Sequence, residues 1–312
     1  MADRVLVTGG LGFIGSRLCA ALLDEGFAVR CVDDLSGDYA EGVGPAAIPG
    51  LRGRGAQVAI ASAGPEHLRG VDAVVHLAGL PGVRTRRSPT ELRDANVGLT
   101  ERLARAAAAR GARFVFVSSS SVYGNASELP TPEHAEPAPL NPYAESKVAA
   151  EAAVRACGGD SVIVRPFTVY GPGQRPEMAF ARWIAAIGRG EPVPLHAPPG
   201  AARDFTYVDD AVAGLIAALR HGWTGRAYNV SGWRSVPLRG ALELLGSPEL
   251  LELPAFGGEV SVTLGCRRRA AAELGYAPRV DLDAGIARQL EAASPRRLRR
   301  LRRPRRPRGL AA

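Results

Sequence analysis

Arg4-Val5-Leu6-Val7-Thr8-Gly9-Gly10-Leu11-Gly12-Phe13-Ile14-Gly15-Ser16 decides the fold of this chain. Its first five residues are a short, mostly apolar run, and helical periodicity follows the glycines through Glu25 to a stop at Gly26. Strand, glycine turn and helix in that order give the G-x-x-G-x-x-G spacing a physical meaning. Gly9 permits the tight turn, Gly12 lets the backbone approach a pyrophosphate, and Gly15 lets helix and strand pack closely, with Phe13 and Ile14 completing the turn. The helix then offers free N–H groups and the positive end of its dipole to phosphate. The next strand, Val29 to Asp33, ends in an acid 18 residues after Gly15. A carboxylate there accepts from both hydroxyls of an adenosine ribose and repels a 2′-phosphate, which selects NAD over NADP.

Further strand-like runs follow at Gln57 to Ile60, Ala73 to Leu77, Phe114 to Ser118 and Ser161 to Arg165. Between them, Ala-rich helices are expected from Val97 to Arg110 and from Pro142 to Cys157, each stopped by a glycine. This alternation predicts an α/β fold: a doubly wound parallel sheet (Rossmann) covered by helices on both faces. Ligands should then gather at the carboxyl ends of the strands, where the glycine turn, His76-Leu77-Ala78-Gly79 and a serine run all fall.

That serine run begins a second informative stretch, Val117-Ser118-Ser119-Ser120-Ser121-Val122-Tyr123-Gly124, followed by Asn141-Pro142-Tyr143-Ala144-Glu145-Ser146-Lys147. Tyr143 and Lys147 stand four residues apart, one turn along the same helix face. A phenol titrates near ~10, and lowering it by roughly 3 units takes about 4 kcal/mol. Lys147 and the positive ring of an oxidised nicotinamide are the expected source. Tyr143 then serves as a base, with Ser119 holding a substrate hydroxyl against it, an arrangement suited to alcohol oxidation.

Of 312 residues, 46% are hydrophobic and 22% charged, enough for one large or two medium domains. The net charge of +8 is misleading. Nine arginines lie between Arg296 and Arg308, and without them 30 basic residues face 31 acidic ones. The body is therefore not basic, and the tail, 296–312, reads as a disordered, solvated extension without specific nucleic-acid recognition. Cys19, Cys31, Cys157 and Cys266 show no metal-ligand spacing and read as reduced thiols; no metal is expected. No apolar run is long enough for a membrane span, and nothing at the N-terminus resembles a signal peptide, so the expected location is cytoplasmic.

TGGLGFIG, VDDLSG, HLAG, NVGLT, SSSSVYG, NPYAESK, VRPFTVYGPGQRPEMAF and RDFTYVDD occur in this order along residues 4 to 290. Together they resemble the extended short-chain dehydrogenase/reductases, specifically the NAD-dependent sugar-nucleotide epimerases and dehydratases. The resemblance implies that Tyr143 is the base, Ser119 its hydroxyl partner, and Lys147 the holder of the nicotinamide ribose. It places Asp33 on the adenosine ribose, and Leu77, Ala78 and Asn96 at the cofactor. It implies a Rossmann domain over 1–170 with returns at about 205–230, a smaller α/β substrate-binding domain mainly over 171–295, and a homodimer built on the two Ala-rich helices.

Within the family, dehydratases carry an Asp-Glu pair immediately after the catalytic Ser or Thr, whereas Ser120 and Ser121 stand here and disfavour elimination. Thr168 with Arg175 seven residues later resembles the UDP-glucuronate 4-epimerases, in which that pair and a serine such as Ser120 hold the sugar carboxylate. Alternatively Arg175 binds a phosphate or a dimer neighbour. Arg203 matches an arginine near the nucleotide of a UDP-sugar, or else pairs with Asp204 or Asp209. These residues, with Ser121, form the expected substrate site of a 4-epimerase.

Three segments depart from the family. No acid follows the third strand in Ala59-Ile60-Ala61-Ser62, Ser261 replaces a diphosphate-binding arginine with Cys266 replacing an Asp, and His196 to Gly200 replaces a Gly-Asp-Gly turn. Arg267, Arg268 or Arg269 is the expected substitute for the missing arginine. Rival readings are a neutral-hexose epimerase, a dehydratase or decarboxylase, and an NAD-binding regulatory protein whose substrate site has decayed.

Overall fold

The computed structural model describes residues 3–293 apart from 38, 41, 81 and 83–86. The Arg-rich tail lies outside the described residues. Strands β1 (Arg4–Thr8), β2 (Ala28–Asp33), β3 (Gln57–Ile60), β4 (Ala73–His76), β5 (Arg113–Val117) and β6 (Ser161–Pro166) join a later strand, Ala227–Val230, in one parallel sheet. From one edge the order is Ala227–Val230, β6, β5, β4, β1, β2, β3. The winding direction reverses between β1 and β4, so a crevice opens at their carboxyl ends.

Side chains alternate across this sheet with period two. Val5, Val7, Val75, Val115 and Val164 face one core, which also receives Leu18 and Leu22 of helix α1 (Phe13–Asp24). Leu6, Val74, Phe114, Phe116 and Ile163 face the other. That second core is closed by Leu103 and Ala107 of helix α2 (Leu99–Ala108) and by Ala150 and Val154 of helix α3 (Pro142–Cys157). The expected strands and helices are present within one or two residues at most ends. The helix expected from Val97 differs: residues Asp94–Gly98 form a π-turn ahead of α2. The widened turn carries Asn96, whose side chain bonds two neighbouring segments.

Beyond β6 the chain builds small two-stranded pairings, Val193–His196 with Leu250–Leu253 and Ala202–Asp204 with Ser235–Pro237. Helix α4 (Val208–His221) returns to pack beside α1 against the main sheet. The apolar cluster that begins at Val5 continues through Trp183, Leu195 and Leu242 to Ile286.

Candidate active site

The glycine turn has the shape a pyrophosphate requires. Gly9 has φ +67°, and a Cβ on it would come within 2.8 Å of Ala78 N, where the loop after β4 passes. A Cβ on Gly15 would lie 2.1 Å from Gly9 O, whereas one on Gly12 would meet only Gly9 O at 3.3 Å. Gly12 also starts α1 without a side-chain cap, and no acid occupies the first helical turn. Uncapped N–H groups and an approachable backbone thus stand at the sheet's switch point. Phe13 is buried, while Ile14, Leu77 and Ala78 are half-buried around this turn. The residues present fit a dinucleotide.

Asp33 closes the second side. Its Oδ2 accepts from Leu11 N (3.0 Å), and its Oδ1 accepts from Leu35 N (2.9 Å) and Tyr39 Oη (2.6 Å). A carboxylate has about four acceptor positions. One is left, so both hydroxyls of a ribose reach Asp33 only if Tyr39 gives way. Asn96 is 1% exposed, and its amide bonds Leu80 N, Leu80 O and Ser146 Oγ. It ties the loop after β4 to α3 with its hydrogen bonds already satisfied.

Lys147 and Ser119 meet at the end of β5. Lys147 Nζ donates to Val117 O (3.0 Å) and lies 4.9 Å from the centroid of the Phe116 ring. Burial lowers its pKa to about 8, with Glu151 acting in the opposite direction. Ser119 Oγ accepts from both the amide and the hydroxyl of Ser121. Tyr143, in the first turn of α3, feels both Ser119 and the charge of Arg175. Burial raises the Tyr143 pKa; Ser119 and Arg175 pull it down. Lys147, the cation expected at the phenol, donates to the Val117 carbonyl.

Arg175 Nε also pairs with the half-exposed Glu177 (3.2 Å). Thr168 and Ser120 are half-buried, Thr168 following β6 and Ser120 following Ser119. Arg203 Nη1 donates to Ala202 O and Ser261 O, each at 3.0 Å. It therefore reaches the backbone at Ser261, where the resemblance had implied an arginine. Of its other expected partners, Asp204 accepts from Gly232 N and Gly265 N, and Asp209 faces Arg17. Arg267 donates to Gly232 O and Arg269 to Ala227 O. These bonds engage two of the three candidate substitutes. The four cysteines carry free thiols.

A buried charge cluster beneath Ser119 escaped the sequence reading. Arg165 forks onto Glu151 (Nε to Oε1 2.8 Å, Nη2 to Oε2 2.6 Å), and Ser118 Oγ donates to the same Oε1 (2.7 Å). Arg165 also donates to Tyr123 Oη (2.7 Å), which passes its proton to Asn229 Oδ1. An arginine inside the apolar run of β6, and a glutamate four residues after Lys147, were the available signals.

A doubly wound sheet with this glycine turn and a Ser-Tyr-Lys constellation defines a short-chain dehydrogenase/reductase of the extended type. The chain belongs to the NAD dependent epimerase/dehydratase family, whose family model matches residues 5–231, and it is an NAD-dependent enzyme. It is 34% identical to a dTDP-glucose 4,6-dehydratase of Streptomyces griseus, over 92% of this chain and 93% of that one. It is 31% identical to a UDP-glucuronate 4-epimerase of Thermodesulfobacterium geofontis, over 91% and 94%. Its fold is similar to the crystal structure of a UDP-glucuronic acid 4-epimerase from Bacillus cereus in complex with UDP-glucuronic acid and NAD. That match has a TM-score of 0.87 and 31% identity, covering 93% of this chain and 98% of the other. The relatives thus include both an eliminating and an epimerising sugar-nucleotide enzyme. No helix among the described residues is long and apolar enough to cross a membrane.

Proposed function

We propose that the chain is a UDP-glucuronate 4-epimerase, acting on the sugar nucleotide by oxidation at C4 and return of the hydride to the opposite face. The carrying observation is that the charge of Arg175 reaches the Tyr143 phenol and lowers its pKa, while the two residues after Ser119 bear hydroxyls and not carboxylates. Gly9, Gly12, Phe13, Ile14 and Gly15 would hold the pyrophosphate of NAD, and Asp33 its adenosine ribose. Leu77, Ala78 and Lys147 would border the nicotinamide half, with Asn96 holding that loop in place. When bound, NAD supplies the acceptor for the C4 hydride and gives the same hydride back. Tyr143 takes the C4 hydroxyl proton onto its phenolic oxygen and returns it once the sugar has turned. Ser119 holds the hydroxyl in line.

Oxidising C4 of a glucuronate makes a β-keto acid, which loses carbon dioxide when the breaking C–C bond aligns with the carbonyl π system. Arg175 offers a guanidinium fork that can hold the carboxylate out of that alignment, with Thr168 and Ser120 as further donors. Ser120 and Ser121 provide no carboxylic acid to protonate the α-carbon or to eliminate water. Arg203 would border the UDP moiety. The exposed alanines Ala152 and Ala156 of α3 suit the close helix packing of a homodimer.

Incubating the purified protein with UDP-glucuronate and following the products by NMR tests this reading. UDP-galacturonate is expected; release of carbon dioxide, or turnover of neutral UDP-hexoses alone, overturns it. The Arg175–Glu177 pair favours the neutral-hexose reading to a degree, since it already balances the arginine's charge.

A further inference from the structure

Ser121 was expected to touch substrate, yet its polar atoms point back into the site. Its amide donates to Ser119 Oγ at 3.2 Å and its hydroxyl donates to the same oxygen at 2.9 Å. A serine hydroxyl has one proton and two acceptor positions. Both acceptor positions of Ser119 are therefore filled by one neighbour, and its own proton is left to turn toward Tyr143, whose pKa Ser119 lowers. The local fold fixes this arrangement. Ser119 begins a single 3-10 turn over Ser120–Tyr123. Val122 and Tyr123 in that turn are buried, and Tyr123 is bonded to Arg165 and Asn229.

We propose that Ser121 is a positioning residue: it directs the Ser119 proton at Tyr143 and at the sugar oxygen between them, and it is not a ligand of the substrate. The proposal rests on the roles given above to Ser119 and Tyr143. A donor aimed at the phenolic oxygen stabilises the phenolate, and a donor that itself receives hydrogen bonds is polarised to do so more strongly. The residue type matters. An ionised glutamate at 121, as in the dehydratases, can only accept; it would draw the Ser119 proton away from Tyr143. A hydroxyl at 121 thus matches a Tyr143 that alone takes and returns the proton.

Ser121→Ala and Ser121→Thr, both as NAD-loaded enzyme, test the idea by ultraviolet titration of tyrosinate, with Tyr143→Phe subtracted to isolate one phenol among seven tyrosines. The charges facing that phenol, Arg175 across the cleft and Lys147 one turn along α3, stay in place in both variants. Loss of one hydrogen bond should move the Tyr143 midpoint upward by about 0.5–1 pH unit in Ser121→Ala and lower kcat about fivefold. The sugar KM should be unchanged, and Ser121→Thr should restore both quantities. An unmoved midpoint, or a raised KM with kcat intact, overturns the proposal. The titration needs no substrate. A shifted midpoint in an enzyme that turns over a different sugar therefore supports the role of Ser121 and overturns only the assignment to UDP-glucuronate.

Discussion

Ser119 and Arg175 both lower the Tyr143 pKa, but they stand on differently built ground. The strand end that carries Ser119 is hooked by Lys147 at Val117 O, by Glu151 at Ser118 Oγ and by Arg165 at Tyr123 Oη. Lys147, Glu151 and Arg165 are each 6% exposed or less. Arg175 sits on a loop held by Arg17 at Pro172 O and by Gln289 on Gln174, and its guanidinium is shared with a surface glutamate. The groups proposed to react are thus fixed by buried charge, and the group proposed to choose the sugar rests on lighter supports. Such a division lets the loop change its substrate without disturbing the proton-transfer geometry.

The largest effects should come from the fixed side. Replacing Tyr143 by Phe removes the proton acceptor and should lower kcat by about 10³–10⁴ while NAD stays bound, as read by turnover and by cofactor titration. Glu151→Ala leaves the Arg165 guanidinium buried without its carboxylate. Burial disfavours that charge, and the Glu151 fork holds its pKa above the ordinary value. Urea unfolding should show a loss of about 3–5 kcal/mol, with Glu151→Gln recovering only part of it, because the amide keeps an acceptor for Ser118 but also leaves the guanidinium without a countercharge. A stable Glu151→Ala protein would mean that the strand end is no better anchored than the loop.

On the loop side, Arg175→Ala should leave folding intact and lower kcat/KM for UDP-glucuronate by about 1.5–3 kcal/mol, roughly 10- to 150-fold. Turnover of a neutral UDP-hexose should fall by less, through the lost pull of Arg175 on the Tyr143 phenol alone. Equal losses on both sugars would show that Arg175 acts on Tyr143 and not on a carboxylate.

The fixed side also has a pH signature. His76 is fully buried between Thr8 (2.7 Å) and Thr100 (2.9 Å), and burial, with Lys147 adding, lowers its pKa from 6.5 to about 3. Thr100 gives its own proton to Asn96 O, so the Nε2 nitrogen of His76 carries the hydrogen. As pH falls below 6.5 the unfolded chain takes up a proton that the folded one refuses. Stability is therefore complete above that pH and is lost progressively toward pH 3. Denaturation at pH 7 and pH 5 should differ by about 2 kcal/mol from this residue. His76→Gln should flatten the acid limb by that amount.

The fold was legible because its signals are local. The glycine turn, the period-two strands and the stop at Gly158 each act within a few residues, and each is present in the structure. Tyr143, Lys147 and Ser119 were legible as candidates, since helix spacing and a strand end suffice to bring them together. What spacing could not supply is which groups are already satisfied. Asn96 is consumed by Leu80 and Ser146, the Ser121 proton goes to Ser119, and Arg203 is bonded to Ser261 O, partners up to 58 residues away in sequence. The Glu151–Arg165 pair was missed for the same reason: each residue alone resembles an ordinary surface charge until the sheet places β6 beside β5.

The smallest predicted effect tests where the two regions touch. Arg17, in the second turn of α1, donates to Phe13 O within its own helix and to Pro172 O on the Arg175 loop, while Asp209 faces it from α4 at 3.7 Å. Arg17 is thus a tie between the helix proposed to hold the pyrophosphate and the loop proposed to hold the sugar. Arg17→Ala removes one charge-assisted bond to a backbone carbonyl, worth about 1 kcal/mol. A loop so released should raise the sugar KM about fivefold and leave kcat and the Tyr143 midpoint unchanged, because Ser119 does not depend on that tie. Arg17→Lys should recover part of the loss. If kcat falls and KM holds, the loop and the strand end move as one body, and the contrast between them dissolves.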